Sequence, residues 1–453
     1  MPNTVKLKKG LDIKLLGEAD QVIIEAKKPT VVAIKPTDFH GLNPKVVIKE
    51  GEEVKRGQVF MYDKNNESVK FASPVNGTLT EIVRGEKRKI LAIKINVLDK
   101  DDCEQVNVGD LASMSREQVK QVLLDGGMWP FLKQRPLDKI ANPEVTPKAI
   151  FISSFDSAPL APDYDFIMHD QGAFFQKGID AIAKLTDGKV HLTLNGDQTA
   201  DATFTNAKNV QINTIFGKHP AGNVGTQIHH FDPINKGEFV FTINPIDVVI
   251  IGKFFTDGKF DSSRIVALTG SEAKNRKYYK TIIGAQVSSI IDGNMEEGNV
   301  RVISGNALTG DNVGKDGFLG YYSSQITLLP EGNHLKFFLT KGWLGLGFDK
   351  YSSHRLFPTW ITPNSKKRLD TNLNGEERGF VVTGEMEKVF PFDILPMYLI
   401  KAIIVNDIEK MEQLGIYEVA PEDFALCEYV CTSKIEIQDI VRKGLDVIEE
   451  ECM

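Results

Sequence analysis

Cysteine is scarce in this chain: there are four in 453 residues, at positions 103, 427, 431 and 452. So few thiols exclude a disulfide-framed secreted fold and point to a reducing compartment. Long apolar runs are missing as well. The longest, residues 394–405, is interrupted by Lys401 and falls well short of the ~20 residues that a membrane-spanning helix needs. The start, MPNTVKLKKG, is basic but leads into no apolar segment, so no secretory signal is expected. No block of basic charge stands out, because 54 Lys and Arg face 61 Asp and Glu for a formal net charge of −7. Nucleic acid is thereby excluded as a partner, since a phosphate backbone has to be met by clustered cations. What remains is ordinary globular composition, 42% apolar and 25% charged, in a chain long enough for two to four domains. The expectation is a soluble cytoplasmic protein that reaches any membrane only by docking.

Up to Val97 the pattern is β. Residues 31–34, 45–48, 58–62, 69–72, 78–83 and 90–97 are short runs rich in β-branched residues, divided by turn signals such as Glu50-Gly51 and Arg56-Gly57. That spacing predicts a small barrel or sandwich. A helix follows, with Ser115 as N-cap, Gln118 as capping-box partner, Val119, Val122 and Leu123 as its stripe and Gly126 as its stop. The tract from Trp129 to Pro147 carries four prolines and reads as a stiff connector without regular structure.

From Lys148 strands and helices alternate. Residues 149–153, 190–194 and 210–216 read as strands, residues 174–185 as a helix, and 248–251 and 265–268 as fully buried runs of a partly parallel sheet. A β-rich unit is expected from residue 298, with strands at 300–305 and 325–329 and a glycine-rich loop at 342–347. Beyond Arg378 the chain turns helical. Residues 399–405 read as a buried helix, and Ile437, Ile440, Val441, Leu445 and Ile448 share one face of the last helix. The expected division is a β-barrel domain at 1–100, a helix and proline-rich connector at 101–147, an α/β domain at 148–297, a second β domain at 298–375 and a helical domain at 376–453.

Four groups of residues are weighed for chemistry. His219, Gly222 and Gly225 lie in a loop directly after a strand, where glycines let a backbone approach a phosphate. Neither phosphate-binding fingerprint is complete: G-x-G-x-x-G is missing, and Asn223 stands where a Walker A loop needs Lys. Positive φ in a tight turn explains these glycines equally well. Trp129, Phe131 and Arg135 offer flat apolar surface and one cation, which suits a quinone headgroup and equally an interdomain anchor. Cys427 and Cys431 share a helix face, but a [4Fe–4S] cluster needs four thiolates, so they read as packing residues. His229 and His230, on a strand, would point to opposite faces, and no thiol lies nearby, so no metal site is expected. No activated nucleophile or acid pair is legible, and no catalytic residue is assigned.

Residues 49–59, followed by Ala72-Ser73-Pro74-Val75-Asn76-Gly77, resemble the biotinyl/lipoyl carrier fold. The resemblance makes Lys64, in Tyr62-Asp63-Lys64-Asn65-Asn66, the one candidate for a modified hairpin lysine. The Asn-Asn pair and the longer spacing to Pro74 depart from the carrier pattern, which favours a structural barrel with an ordinary surface lysine.

Further segments recur in a fixed order. They are Lys6-Leu7-Lys8-Lys9-Gly10-Leu11-Asp12, Val54-Lys55-Arg56-Gly57-Gln58-Val59, residues 84–88, 115–123 and 129–136, Gly217-x-His219-Pro220-Ala221-Gly222-x-x-Gly225-Thr226-x-Ile228-His229, residues 301–310, 375–378 and 393–396, and Leu426-Cys427-x-Tyr429-Val430-Cys431. With this ordered set the chain resembles, over nearly its whole length, the A subunits of sodium-translocating NADH:quinone oxidoreductases. The resemblance implies a multidomain α/β plus β protein: an N-terminal biotinyl/lipoyl-like barrel-sandwich, a Rossmann-like α/β domain, a β-grasp (SLBB-like) domain and a C-terminal helical domain. The order is like that of the flavin- and NADH-binding subunit of respiratory complex I, whose helical domain carries an iron–sulfur cluster; here only Cys427 and Cys431 stand in the corresponding region ahead of the terminal Cys452. It further implies a subunit without a redox cofactor of its own, peripheral on the inner face of the bacterial membrane. Its partners, chiefly the B subunit, would hold the flavins and an iron–sulfur centre and couple NADH oxidation and ubiquinone reduction to sodium export. Trp129, Phe131 and Arg135 would then lie near the quinone. The alternatives are a stand-alone flavin- or nucleotide-binding oxidoreductase, a carrier modified at Lys64, and the iron–sulfur C subunit of the related ferredoxin:NAD complex, whose cysteine clusters are missing here.

Overall fold

The computed structural model describes residues 3–100, 102–334, 347–348, 350–352 and 357–453. Its centre is a seven-stranded sheet whose strands lie side by side in the order Asn3–Lys6, Gln211–Phe216, Lys189–Asn195, Ala149–Ser153, Val240–Thr242, Lys133–Arg135 and Lys139–Ile140. The first five run parallel, and Lys133–Arg135 runs antiparallel to both of its neighbours, Val240–Thr242 and Lys139–Ile140. Burial on both faces explains the unbroken apolar run Ala149-Ile150-Phe151-Ile152, each residue at 0% exposure. Two features of this sheet differ from the sequence expectation. Asn3–Lys6 pairs with Gln211–Phe216 at the sheet edge rather than joining the barrel, and the Trp129 tract is regular: a 3-10 turn, Trp129–Phe131, leads into the strand Lys133–Arg135.

The N-terminal β unit is a four-stranded sheet, Val31–Ile34, Ile90–Val97, Gly77–Arg84 and Glu53–Val54, with a three-stranded one, Pro44–Val46, Val59–Asp63 and Asn66–Ala72. Phe60, Phe71, Leu79 and Ile95 lie in their common core, as expected for a barrel-sandwich. A separate six-stranded sheet gathers Val300–Ser304 and Gln325–Pro330 with Ser263–Thr269, Tyr278–Ile282, Ile23–Glu25 and Asp311–Asn312. Residues 265–268 thus leave the α/β layer to which their apolar run assigns them.

The expected helix after the barrel forms at Arg116–Asp125, with the capping box closed in both directions: Ser115 Oγ accepts from Gln118 N, and Gln118 Oε1 accepts from Ser115 N. Residues 248–251 belong to a helix, Pro245–Asp257, and not to a strand. Its interior is buried all round, which removes the periodicity that separates helix from strand. Its ends carry the signal instead, with Asn244 Oδ1 accepting from Ile246 N at 3.1 Å, Pro245 in the first turn and Gly258 left-handed at the stop. The C-terminal unit is helical, with Pro396–Ile404, Ile408–Gln413, Ala425–Val430 and Ile437–Cys452 as its main elements. Ile437, Val441, Leu445 and Ile448 reach 0% exposure on one face of the last helix. Of the glycine-rich loop, residues 342–346 lie outside the described residues. Among the described residues no helix is long and apolar enough to cross a membrane.

Candidate functional site

An open α/β sheet places its ligand where the strand order reverses. Here the strand Ala149–Ser153 leads on one side to Lys189–Asn195 and Gln211–Phe216 and on the other to Val240–Thr242. The reversal therefore lies between Ala149–Ser153 and Val240–Thr242. A cavity of about 210 Å³ sits at the carboxyl ends of these two strands, reached by Ser153, Asp156, Thr242 and Asn244. Phe131, Lys133, His219, Gly222 and Tyr322 close it from the connector, the glycine loop and the second β sheet, and Glu422 from the helical domain.

The walls are acidic. Asp138, Asp156, Asp247 and Glu422 line the cavity, with Lys133 as the one lysine or arginine of its lining among the described residues. Burial raises the pKa of Asp156, with Ala158 N–H opposing at 2.8 Å and Glu422 adding to the rise. Asp247 is raised by burial against the pull of Arg264, which lies 2.8 Å away, both side chains being fully buried. Tyr164 is held neutral by burial and accepts a bond from Asn244 Nδ2 at 2.9 Å.

The loop candidates come together. His219 is 4% exposed, and burial lowers its pKa to about 4. Its Nδ1 lies 3.0 Å from Ser157 Oγ, which accepts from Gly222 N–H at 2.8 Å. The hydroxyl proton is therefore free to point at Nδ1, which fits a neutral imidazole. Neither Gly222 nor Gly225 has positive φ, so the tight-turn reading does not hold for them; both are required by close approach. A Cβ on Gly222 would come within 2.5 Å of Ser157 N, and one on Gly225 would collide with both carboxylate oxygens of Asp423. Gly225 stands in the first turn of the helix Val224–Phe231, where backbone N–H groups and the helix dipole favour an anion. The anion beside that turn is the chain's own Asp423.

Asp423 is held there by Arg135. Arg135 Nη1 donates to Asp423 Oδ2 at 3.1 Å, its Nη2 to Glu422 Oε1, and its Nε lies 3.6 Å from Asp138 Oδ1. Ala420 N–H donates to the same Asp423 oxygen at 2.9 Å. Of the other connector candidates, Phe131 lines the cavity and stacks on Tyr321 at 5.1 Å. Trp129 is 1% exposed, and its Nε1–H donates to Ala141 O at 2.6 Å.

Several residues stand elsewhere. His229 and His230 lie on the helix Val224–Phe231, not on a strand. His229 Nδ1 pairs with Glu418 Oε2 at 2.8 Å, its Nε2 accepts from Asp393 N at 3.2 Å, and His230 bonds Thr226 O. Cys427 and Cys431 are both buried, and burial raises the Cys427 thiol well above its usual range. Among the described residues no group of three or more His, Cys, Asp or Glu can hold a metal. Lys64 stands exposed in the turn between Val59–Asp63 and Asn66–Ala72. Asp138, Asp156, Asp247 and the Glu422-Asp423 pair escape sequence reasoning, because no local pattern distinguishes them from surface acids.

Comparison with known proteins agrees with this layout. Residues 5–98 match the model of the NqrA N-terminal barrel-sandwich hybrid domain, residues 114–260 the NqrA second alpha/beta domain, and residues 265–315 the C-terminal domain of the SLBB type. The A subunit of the Na(+)-translocating NADH-quinone reductase from Alcanivorax borkumensis is 37% identical over 99% of this chain and 100% of that one. Those from Neisseria meningitidis and Haemophilus influenzae are 36% and 38% identical, again over 99% of this chain and 100% of theirs. Among solved structures, the air-oxidized NAD+-reducing [NiFe]-hydrogenase aligns at TM-score 0.35 and 10% identity, over 74% of this chain and 61% of that chain. On its full-length relatives and its three matched domains, the chain belongs to the family of A subunits of the Na(+)-translocating NADH-quinone reductase.

Proposed function

We propose that the chain is a peripheral subunit on the cytoplasmic face of a complex that couples NADH oxidation and quinone reduction to sodium export, and that it binds no redox cofactor itself. The observation that carries this reading is the Asp423 carboxylate against Gly225. Its two oxygens crowd Gly225 in the first turn of the helix Val224–Phe231, so a phosphate approaching the turn would meet a buried carboxylate of its own sign. The cavity beside it works the same way. Its walls offer a diphosphate the ionised Asp138 and only Lys133 as a lining cation among the described residues, and about 210 Å³ is less than the roughly 300–1,000 Å³ of a typical cofactor pocket. Flavins and an iron–sulfur centre then belong to partner subunits, chiefly the B subunit. The alternative, a stand-alone flavin or nucleotide enzyme, has the position of the cavity in its favour and the chemistry of its walls against it.

Within this reading the connector is the quinone-proximal tract. Phe131 lines the cavity, while Trp129 and Arg135 anchor the segment. In the assembled complex, Phe131→Leu is expected to raise the KM for quinone about two- to tenfold, the worth of one aromatic contact. NADH oxidation with an artificial acceptor should stay unchanged. Unaltered KM and inhibitor response would remove the quinone-proximal part of the proposal.

A further inference from the structure

The fold gathers on the N-terminal barrel-sandwich a positive charge that the sequence keeps dispersed. A groove of about 680 Å³ opens there between the strand Pro44–Val46 and the residues Ile82, Arg84 and Ile90. Its floor is Val46, Ile48, Ile82 and Ile90, partly buried and packed on the main core. Its rim is Lys45, Lys49, Lys64 and Arg84, all exposed. None of these four is ion-paired among the described residues; Arg84 Nη1 donates only to the Arg88 carbonyl, at 3.4 Å. The acid in the lining, Glu50, accepts from Ile82 N–H at 2.8 Å. The turn from Arg84 to Ile90 adds exposed Lys87, Arg88 and Lys89 against Glu86. In a chain of net charge −7, the groove focuses a field of opposite sign.

Pro44–Val46 is also an edge strand, paired on one side with Val59–Asp63 and, among the described residues, with no strand on the other, where Pro44 can offer a carbonyl but no N–H. An open edge accepts a further strand, whose main chain supplies hydrogen bonds while its side chains alternate between two faces. We propose that this groove docks an extended segment of a partner subunit in which acidic residues alternate with aliphatic ones. The aliphatic face would lie on Val46, Ile48, Ile82 and Ile90, and the acidic face would meet Lys45, Lys49, Lys64 and Arg84. The assignment rests on reading the chain as one subunit of a larger complex. A flat lipid surface reaches neither a concave floor nor the unpaired N–H and C=O groups of a strand, so a peptide is the better occupant. Lys64 thereby gains a role as part of a binding rim, without any modification.

The test uses the whole complex, with a photoreactive residue at the exposed Val47 and mass spectrometry of the cross-linked peptide. The expected product joins Val47 to an Asp/Glu-rich segment of another subunit. The variant Lys45→Glu, Lys49→Glu, Lys64→Glu, Arg84→Glu, folded because all four side chains are exposed, should lose that product. It should bind the remaining subunits at least about tenfold more weakly, with a shallower salt dependence. A cross-link confined to lipid or to the chain itself overturns the proposal, as does a variant of unchanged affinity and salt dependence. Binding of the isolated chain to phosphatidylglycerol vesicles, abolished in the same variant, would assign the groove to lipid instead. A wild-type chain that co-purifies with no other subunit would remove the complex reading first, and this assignment with it.

Discussion

Replacing Arg135 by Met should cost about 3–5 kcal/mol of unfolding free energy at pH 8, the usual penalty for leaving buried charge without its partner. Arg135 is 2% exposed and Asp423 is 2% exposed, so solvent screens little of the loss. The pH dependence is the sharper part. Burial pushes Asp423 up to about 6, with Arg135 pulling the other way and Glu422 adding to the rise. A carboxyl whose folded pKa exceeds its ordinary 3.8 destabilises the fold when ionised, and that cost disappears as pH falls through the folded value. Asp138 has the opposite sign. Against the cost of its burial, Lys133, Arg135 and Arg442 hold it down to about 2, so its contribution is present above 3.8 and is lost as pH falls through about 2. Without Arg135 the Asp423 carboxyl rises further, and the deficit of the variant should shrink between pH 8 and pH 5. Adding Asp423→Asn to Arg135→Met should recover part of the loss at pH 8. Urea unfolding at both pH values reads all three outcomes. A deficit below about 1 kcal/mol, or one that grows on acidification, would mean that the cluster does not hold the helical domain to the connector.

Trp129→Ala should cost a similar amount, about 3–5 kcal/mol, for a different reason. The indole is among the largest fully buried side chains and meets Phe241 edge-on at 6.2 Å. Its removal leaves a cavity behind the 3-10 turn and strips Ala141 O of its donor. Trp129→Phe keeps most of the packing and loses the donor, so it should cost about 1–3 kcal/mol. The difference between the two variants separates packing from hydrogen bonding, and hydrogen exchange at residues 129–141 locates the effect. Two variants that both melt like the parent would contradict the description of Trp129 as an anchor.

How much of this is legible beforehand depends on how local the signal is. The capping box at Ser115 and Gln118, the β-branched runs of the barrel and the stripe of the last helix are short-range patterns, and each appears where the sequence put it. The helix Pro245–Asp257 reads as a strand because full burial erases periodicity, although Asn244-Pro245 and Gly258 already mark its ends. His229 and His230 change faces with the strand that proves to be a helix. The loop His219–Gly225 is visible as a glycine pattern, but its physical cause is not. Gly225 is required by Asp423, a residue of another domain, and Arg135 meets Glu422 and Asp423 across sequence separations of 287 and 288. No composition or period encodes such pairs. The groove cations are hidden in the same way: Lys45, Lys49, Lys64 and Arg84 are scattered among acids in the sequence and become neighbours only when the two sheets pack.

On the proposed reading, the chain's own Asp423 crowds the helix turn beside the switch-point cavity and no cofactor sits there. The most direct measurement takes the protein released from the purified complex, records its absorbance spectrum and intact mass, and titrates it with FMN and NADH by calorimetry. The expected result is a colourless protein of unmodified mass that gives no heat with either ligand. The reading also predicts that Asp423→Gly, which empties the space beside Gly225, does not make the chain yellow, because Asp138, Asp156, Asp247 and Glu422 still line the cavity. A flavin spectrum, or saturable NADH binding by the wild-type chain that Gly225→Ala abolishes, would contradict it and make the switch-point cavity a working cofactor site.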